Sequence, residues 1–205
     1  MRAKMRGYLE HPDVTLRRYP SSDKSQPARY ARAMAYLHKP DMAKALEEAN
    51  TLVAEEPTNP YFLEMLGQTY VEMGRVKEGI EPYRKAARLL PDSALIRISL
   101  AAAMLGAEDP VLTQTAGLEL EKALRDENDN SYAWYELAQA YGRMGLVGKA
   151  DLATAERFFA VGAYPQAQQF AGRAQKGLAT GSTDWQRAND IVAIAQSQRK
   201  DRRQQ

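Results

Sequence analysis

The chain has 205 residues, 44 % of them apolar, which is ample for a buried core in one large domain or a short array. No run approaches the ~18 apolar residues of a membrane helix, the N-terminal MRAKMRGYLEHP has basic residues but lacks the apolar stretch of a secretory signal, and the absence of cysteine excludes disulfide frameworks and thiolate metal sites. The net charge of +2 is unevenly spread, with 9 basic against 3 acidic groups in residues 1–40, 9 against 17 in 41–130 and 10 against 6 in 131–205. Basic ends can suit nucleic acid. Here the basic residues scatter around predicted helices and in the tail RKDRRQQ without a compact stripe, so no nucleic-acid partner is expected.

In chain order, residues 1–26 read as linker and short helices leading from an upstream domain. A short helix is expected from Arg2 to about Glu10, interrupted by Pro12 and Pro20 and followed by the loop Ser21-Ser22-Asp23-Lys24-Ser25. From Pro27 a repeating pattern begins. Ala33, Tyr36 and Ala45 take small–aromatic–small positions, Arg29 stands where a large apolar residue would lead, and Pro57 closes the unit.

The next stretch, 60–91, sets the register. Leu63, Leu66, Gly67 and Tyr70 have the spacing L-x2-L-G-x2-Y, Gly79 follows nine residues later, then Tyr83 and Ala86, and Pro91 ends the unit. Leu63, Leu66 and Tyr70 share one helical face. Gly67 and Gly79 let two helices approach at their crossing, and Pro91 stops the second helix near Leu90. This is the signature of the tetratricopeptide repeat (TPR), a two-helix unit of about 34 residues. Pro82 lies beyond the first turn of the second helix, so a bend is expected there, with Tyr83, Ala86 and Leu89 holding the helix by packing.

A third repeat starts near Ala94, with Leu100, Ala101 and Met104 on its packing face and Ala116, Leu120 and Ala123 in its second helix. Gly106-Ala107-Glu108-Asp109-Pro110 lengthens the turn between them, where an insertion costs little loop-closure entropy. A fourth repeat shows Trp134, Leu137, Ala138 and Tyr141 as W-x2-L-A-x2-Y, with Ala150 nine residues on. Ala155, Phe158 and Ala167 then fit a compressed fifth repeat. Gly181-Ser182-Thr183 reads as a break and N-cap before a last helix over 184–199, whose Ile191, Val192 and Ile194 suit a capping role. The expected fold is thus all-α: antiparallel helix pairs in a right-handed TPR solenoid of about ten to twelve helices. The array spans 27–180, and 181–205 form the capping helix and a frayed basic tail.

No catalytic constellation emerges. His11 and His38 are isolated and lack the HExxH context of a zinc-protease helix, and there is no nucleophile elbow, P-loop or dinucleotide glycine fingerprint. No metal site and no cofactor is expected in this chain. Glu47-Glu48 and Glu55-Glu56 read as solvated helix faces, and Tyr36, Tyr70, Tyr141 and Trp134 as core.

What remains is a surface. The first helices of TPR arrays line a concave groove through positions two, five, nine, twelve and thirteen of each repeat. Here these are Tyr30, Met34 and Leu37, then Tyr61, Glu64, Gln68 and Val71, then Leu95, Ile98, Ala102 and Leu105, then Tyr132, Tyr135, Gln139 and Arg143. Only Glu64 and Arg143 are charged, and the Lys and Asn of chaperone-type carboxylate clamps are missing. The groove is therefore expected to bind apolar protein or peptide segments, unless the chain covers it itself.

Beyond the generic repeat, SDKSQPARYARAMAYLHKPDMAKAL followed by EEPTNPYFLEMLGQTYVEMGR, and YAWYELAQAYGRMGLVGKADLATAERFFAVGAYPQAQQFAGRA, resemble the C-terminal TPR region of bacterial periplasmic zinc metallopeptidases, a group that includes the β-barrel assembly-enhancing protease. The resemblance runs from about Arg2 over nearly the whole chain. It implies a non-catalytic C-terminal part of such an enzyme, a periplasmic location, and as partners the upstream protease domain or proteins of outer-membrane assembly. Zinc is implied only for the protease domain, because no residue of this chain matches the family's zinc motif. The competing readings are a free-standing TPR adaptor and, in another class, an enzyme in its own right.

Overall fold

The structure, a computed structural model, describes residues 10–203, with side chains through residue 198. Among these residues there are eleven helices and no strand: α1 (Pro12–Arg18), α2 (Gln26–His38), α3 (Met42–Glu55), α4 (Pro60–Glu72), α5 (Val76–Leu89), α6 (Ala94–Gly106), α7 (Pro110–Asp126), α8 (Ser131–Arg143), α9 (Val147–Ala160), α10 (Tyr164–Gly177) and α11 (Thr183–Arg203). Most of the helix expected at residues 2–10 lies outside the described residues, and Glu10 itself is not helical. Pro12 opens α1 instead of breaking the chain, because the first helical position has no backbone N–H partner to lose. The ring Nδ1 of His11 accepts the Asp13 backbone N–H at 3.3 Å there, which makes His11 an exposed cap.

The chain forms two compact units, Met1–Ala107 and Glu108–Gln205. The division falls in the lengthened turn of the third repeat, where Glu108 adopts a left-handed φ of 57°.

In the first unit each of α1 to α5 packs against the helix that follows it, and α4 also touches α2 and α6. The interior joins Tyr30, Ala33, Met34 and Leu37 of α2 to Ala45, Ala49 and Leu52 of α3 and to Phe62, Met65 and Leu66 of α4. The α4–α5 crossing is built on glycine. A Cβ at Gly67 would stand 2.7 Å from the Tyr83 ring, and one at Gly79 only 2.8 Å from the Gly67 carbonyl oxygen. α4 ends in a left-handed Gly74, φ 72°, and Arg75 N–H returns to the Tyr70 carbonyl at 2.9 Å, a Schellman closure. Pro82 lies within α5, which continues through it from Val76 to Leu89. Ile80, Tyr83, Ala86 and Ala87 are buried around it, whereas Leu89, expected to help, is 44 % exposed.

Charge also ties this unit. Arg32 is 1 % exposed and donates to Glu48 Oε1 at 2.6 Å and to the carbonyls of Pro20 and Asp23 at 3.0 and 2.8 Å. Arg29, in the slot that lacks a large apolar residue, reaches Glu48 at 3.1 Å and Glu55 at 3.3 Å. Glu48 is therefore no solvated face. It compensates a buried guanidinium that anchors the loop before α2.

In the second unit α7 to α11 pack in sequence, and α11 also touches α9. Gly148 of α9 and Gly177 of α10 meet backbone to backbone: a Cβ on Gly148 would lie 2.6 Å from the Gly177 carbonyl oxygen. Ala155, Ala167, Ala171 and Ala174 form the interior with Ala188 and Ile191 of α11. Ser182 caps α11 by accepting Trp185 N–H at 3.2 Å. Of the residues expected to seat this helix, Ile191 is buried and Val192 half-buried. Ile194 is 39 % exposed, and Ala195 is the residue buried one turn beyond Ile191.

Candidate partner-binding surface

Asn130 starts α8 by accepting the Ala133 N–H at 3.0 Å. Ala133, Leu137 and Ala140 turn inward. Tyr132, Tyr135, Gln139 and Arg143 follow helical spacing on another face. All four are exposed, the two tyrosines at 52 % and 38 %. The Gln139 amide donates to the Tyr135 hydroxyl at 3.0 Å. Partial burial, aided by a hydrogen bond to Glu136, pushes the Tyr132 hydroxyl pKa up to about 12.

A residue outside the expected groove completes this face. The Arg157 guanidinium of α9 lies 4.7 Å from the Tyr135 ring centre and 5.7 Å from that of Phe158. Phe158 stacks on Phe170 at 5.6 Å, and Arg173, over Phe170 at 5.0 Å, is paired with Asp151 at 2.9 Å. Arg157 belongs to the second helix of its repeat, so groove positions counted on first helices pass it by.

In the first unit the expected groove residues have another fate. Tyr30, Met34, Leu37, Glu64 and Ile98 are 7, 1, 8, 8 and 2 % exposed, and Leu105 is 2 % exposed. Tyr30, Met34 and Leu37 belong to the core shared with α4, the Tyr30 ring sitting 6.2 Å from Phe62. These residues are interior and do not form an open trough. Tyr61 at 46 % and Leu95 at 55 % are exposed, and Gln68, Val71 and Ala102 are half-buried.

A cleft of about 470 Å³ in the second unit is lined by Glu121, Trp134, Tyr141, Lys149, Glu156 and Arg187, among others. Its polar groups hold one another. Tyr141 donates to Glu121 at 2.8 Å, Trp134 Nε1 to the Asn128 carbonyl at 2.8 Å, and Arg187 to both oxygens of Glu156. Trp134, Tyr141, Tyr36 and Tyr70 are half-buried, not sealed in the core. Each of the three tyrosines carries a cation over its ring, from Lys149, Lys44 and Arg75 respectively. His38, like His11, is exposed. Among the described residues no helix is long and apolar enough to cross a membrane.

Comparison with known proteins agrees on the fold. Residues 61–93 match the tetratricopeptide repeat family. No curated protein matches the chain. Among solved structures, MamA superposes with a TM-score of 0.64 at 22 % identity, over 85 % of this chain and 94 % of its own. YrrB, described as a TPR protein with an unusual peptide-binding site, gives 0.65 at 15 %, over 82 % and 87 %. TTC0263, a TPR protein of Thermus thermophilus, gives 0.64 at 19 %, over 86 % and 97 %. Residues 61–93 are thus a tetratricopeptide repeat by family match, and the chain around them has the all-α fold of TPR solenoid proteins.

Proposed function

We propose that this chain is a non-catalytic protein-interaction module that receives a segment of a partner protein on the exposed face of α8. The observation that carries this reading is the pair of large exposed aromatics, Tyr132 and Tyr135, held side by side on a rigid helix. Aromatics of this kind supply most binding hot spots because they bury much area at little entropic cost. YrrB, a structural neighbour, is itself described by its peptide-binding site.

The finer reading rests on the sequence resemblance. The module serves a periplasmic zinc metallopeptidase as its C-terminal region, with the protease domain or an unfolded outer-membrane protein as partner. Zinc belongs to the protease domain, and no residue of this chain is assigned to it. A free-standing adaptor unrelated to proteolysis is the second reading, favoured by the likeness to solved TPR chains matched over 94 % and 97 % of their length. An HExxH helix encoded upstream in the same reading frame separates the two.

Titration calorimetry with unfolded outer-membrane protein and with the protease domain tests the module itself. Binding is expected, and it is expected to vanish in Tyr132→Ala/Tyr135→Ala while the helical circular dichroism is retained. Binding that survives the double substitution places the site elsewhere and overturns the assignment to α8.

A further inference from the structure

We propose that the segment received on α8 is acidic, one of its carboxylates docking on Arg157 beside the ring of Tyr135; this rests on the segment-binding reading above and names its ligand chemistry. The argument begins with charge. Arg157 is half-buried, its guanidinium stacked against Tyr135 and Phe158, and among the described residues it has no carboxylate partner. The neighbouring ionic groups are already committed. Arg173 holds Asp151 at 2.9 Å, Arg187 holds Glu156, Lys149 stands 3.8 Å from Asp184, and Glu136 accepts from Tyr132. No carboxylate of α8, α9 or α10 is left to neutralise Arg157, since these helices carry only Glu136, Asp151 and Glu156.

The geometry fits the same conclusion. Lying over the Tyr135 and Phe158 rings, the guanidinium keeps N–H donors that no carboxylate of the described residues takes up, and arginine offers such donors bidentately to a planar carboxylate. Because the rings already restrain the side chain, little rotamer entropy remains to be lost on binding. Apolar surface accompanies the cation: Tyr132 and Tyr135 on α8 and, four residues after Arg157 at the C-terminal cap of α9, Val161 at 62 % exposure. A segment alternating acidic and apolar residues satisfies both features, whereas a basic segment meets a like charge.

Fluorescence anisotropy of labelled peptides against the full chain tests this. Three probes of equal length alternate leucine with glutamate, glutamine or lysine. The glutamate peptide is expected to bind about tenfold or more tighter than the glutamine peptide, the scale of a charge-assisted hydrogen bond, with a preference that falls as salt rises. Arg157→Gln is expected to erase that preference, the glutamate peptide then binding no tighter than the glutamine peptide measured on the same variant. Arg157→Lys, which keeps the charge without the planar fork, is expected to retain part of it and serves where the first variant fails to fold. Equal binding of glutamate and glutamine peptides, a preference that survives Arg157→Gln, or binding by none of the three overturns the proposal. Equal binding that is still lost on Tyr132→Ala/Tyr135→Ala overturns only the acidic ligand and leaves segment binding standing.

Discussion

Arg187 of α11 grips both carboxylate oxygens of Glu156 on α9, at 2.5 and 2.8 Å, across 31 positions of sequence. Glu156 is only 6 % exposed, so its charge depends on that partner. Arg187→Ala is expected to cost about 1.5–3 kcal/mol, the worth of hydrogen bonds to a charged group, nearer the low end because the Arg187 side chain is 42 % exposed and water can enter. Glu156→Leu combined with Arg187→Leu should recover most of the loss, since an apolar pair of similar volume often equals a buried ion pair. Urea unfolding followed by tryptophan fluorescence measures both, Trp185 lying two residues from Arg187. An unchanged midpoint in Arg187→Ala would show that the pair contributes nothing.

The glycines of the second unit divide by what surrounds them. Gly148→Ala would drive a Cβ to 2.6 Å from the backbone carbonyl of Gly177, and no side chain can yield there. The expected loss is roughly 1–3 kcal/mol or more. Gly172, in the middle of α10, faces open space: a Cβ there would meet no neighbouring atom within 4 Å. Gly172→Ala should stabilise by about 0.5–1 kcal/mol through helix propensity alone. Paired thermal melts give the two signs, and a stabilising Gly148→Ala would contradict the close crossing.

Alkaline pH should expose two tyrosines. Burial is the largest cause raising the hydroxyl pKa of Tyr132, to about 12, and of Tyr141, further still, with Glu136 and Glu121 adding to the respective shifts. In the unfolded chain both ionise near 10. The stability each contributes is fully present below pH 10 and is lost as pH rises through the folded value, because only the unfolded state releases its proton in that window. Ultraviolet titration of tyrosinate should lose one late equivalent in Tyr132→Phe and one in Tyr141→Phe. Titration of both at the value of the unfolded chain would refute the partial desolvation of their hydroxyls.

By itself the sequence determined the periodic part of this protein. Leu63, Leu66, Gly67 and Tyr70 announce a helix face and its crossing point within eight residues, and Pro57 and Pro91 stand just past the ends of α3 and α5. Such signals are local: helical spacing, a missing side chain, a proline that cannot continue a helix. Gly148 and Gly177 form an equally tight crossing, yet 29 positions separate them and neither sits in a repeat motif. Only the tertiary structure decided which groove positions stay open. Tyr30 and Tyr135 hold the same place in their repeats, but Tyr30 is sealed against Phe62 while Tyr135 meets solvent. Burial depends on what lies over a face, and the residues of that face do not encode it. The same holds for charge. Glu48 reads as a solvated acid in sequence and Glu156 carries no signal there, yet each became an anchor because a distant arginine folded onto it. Arg157 ended over Tyr135 with no carboxylate partner among the described residues, a placement that its own helix does not encode.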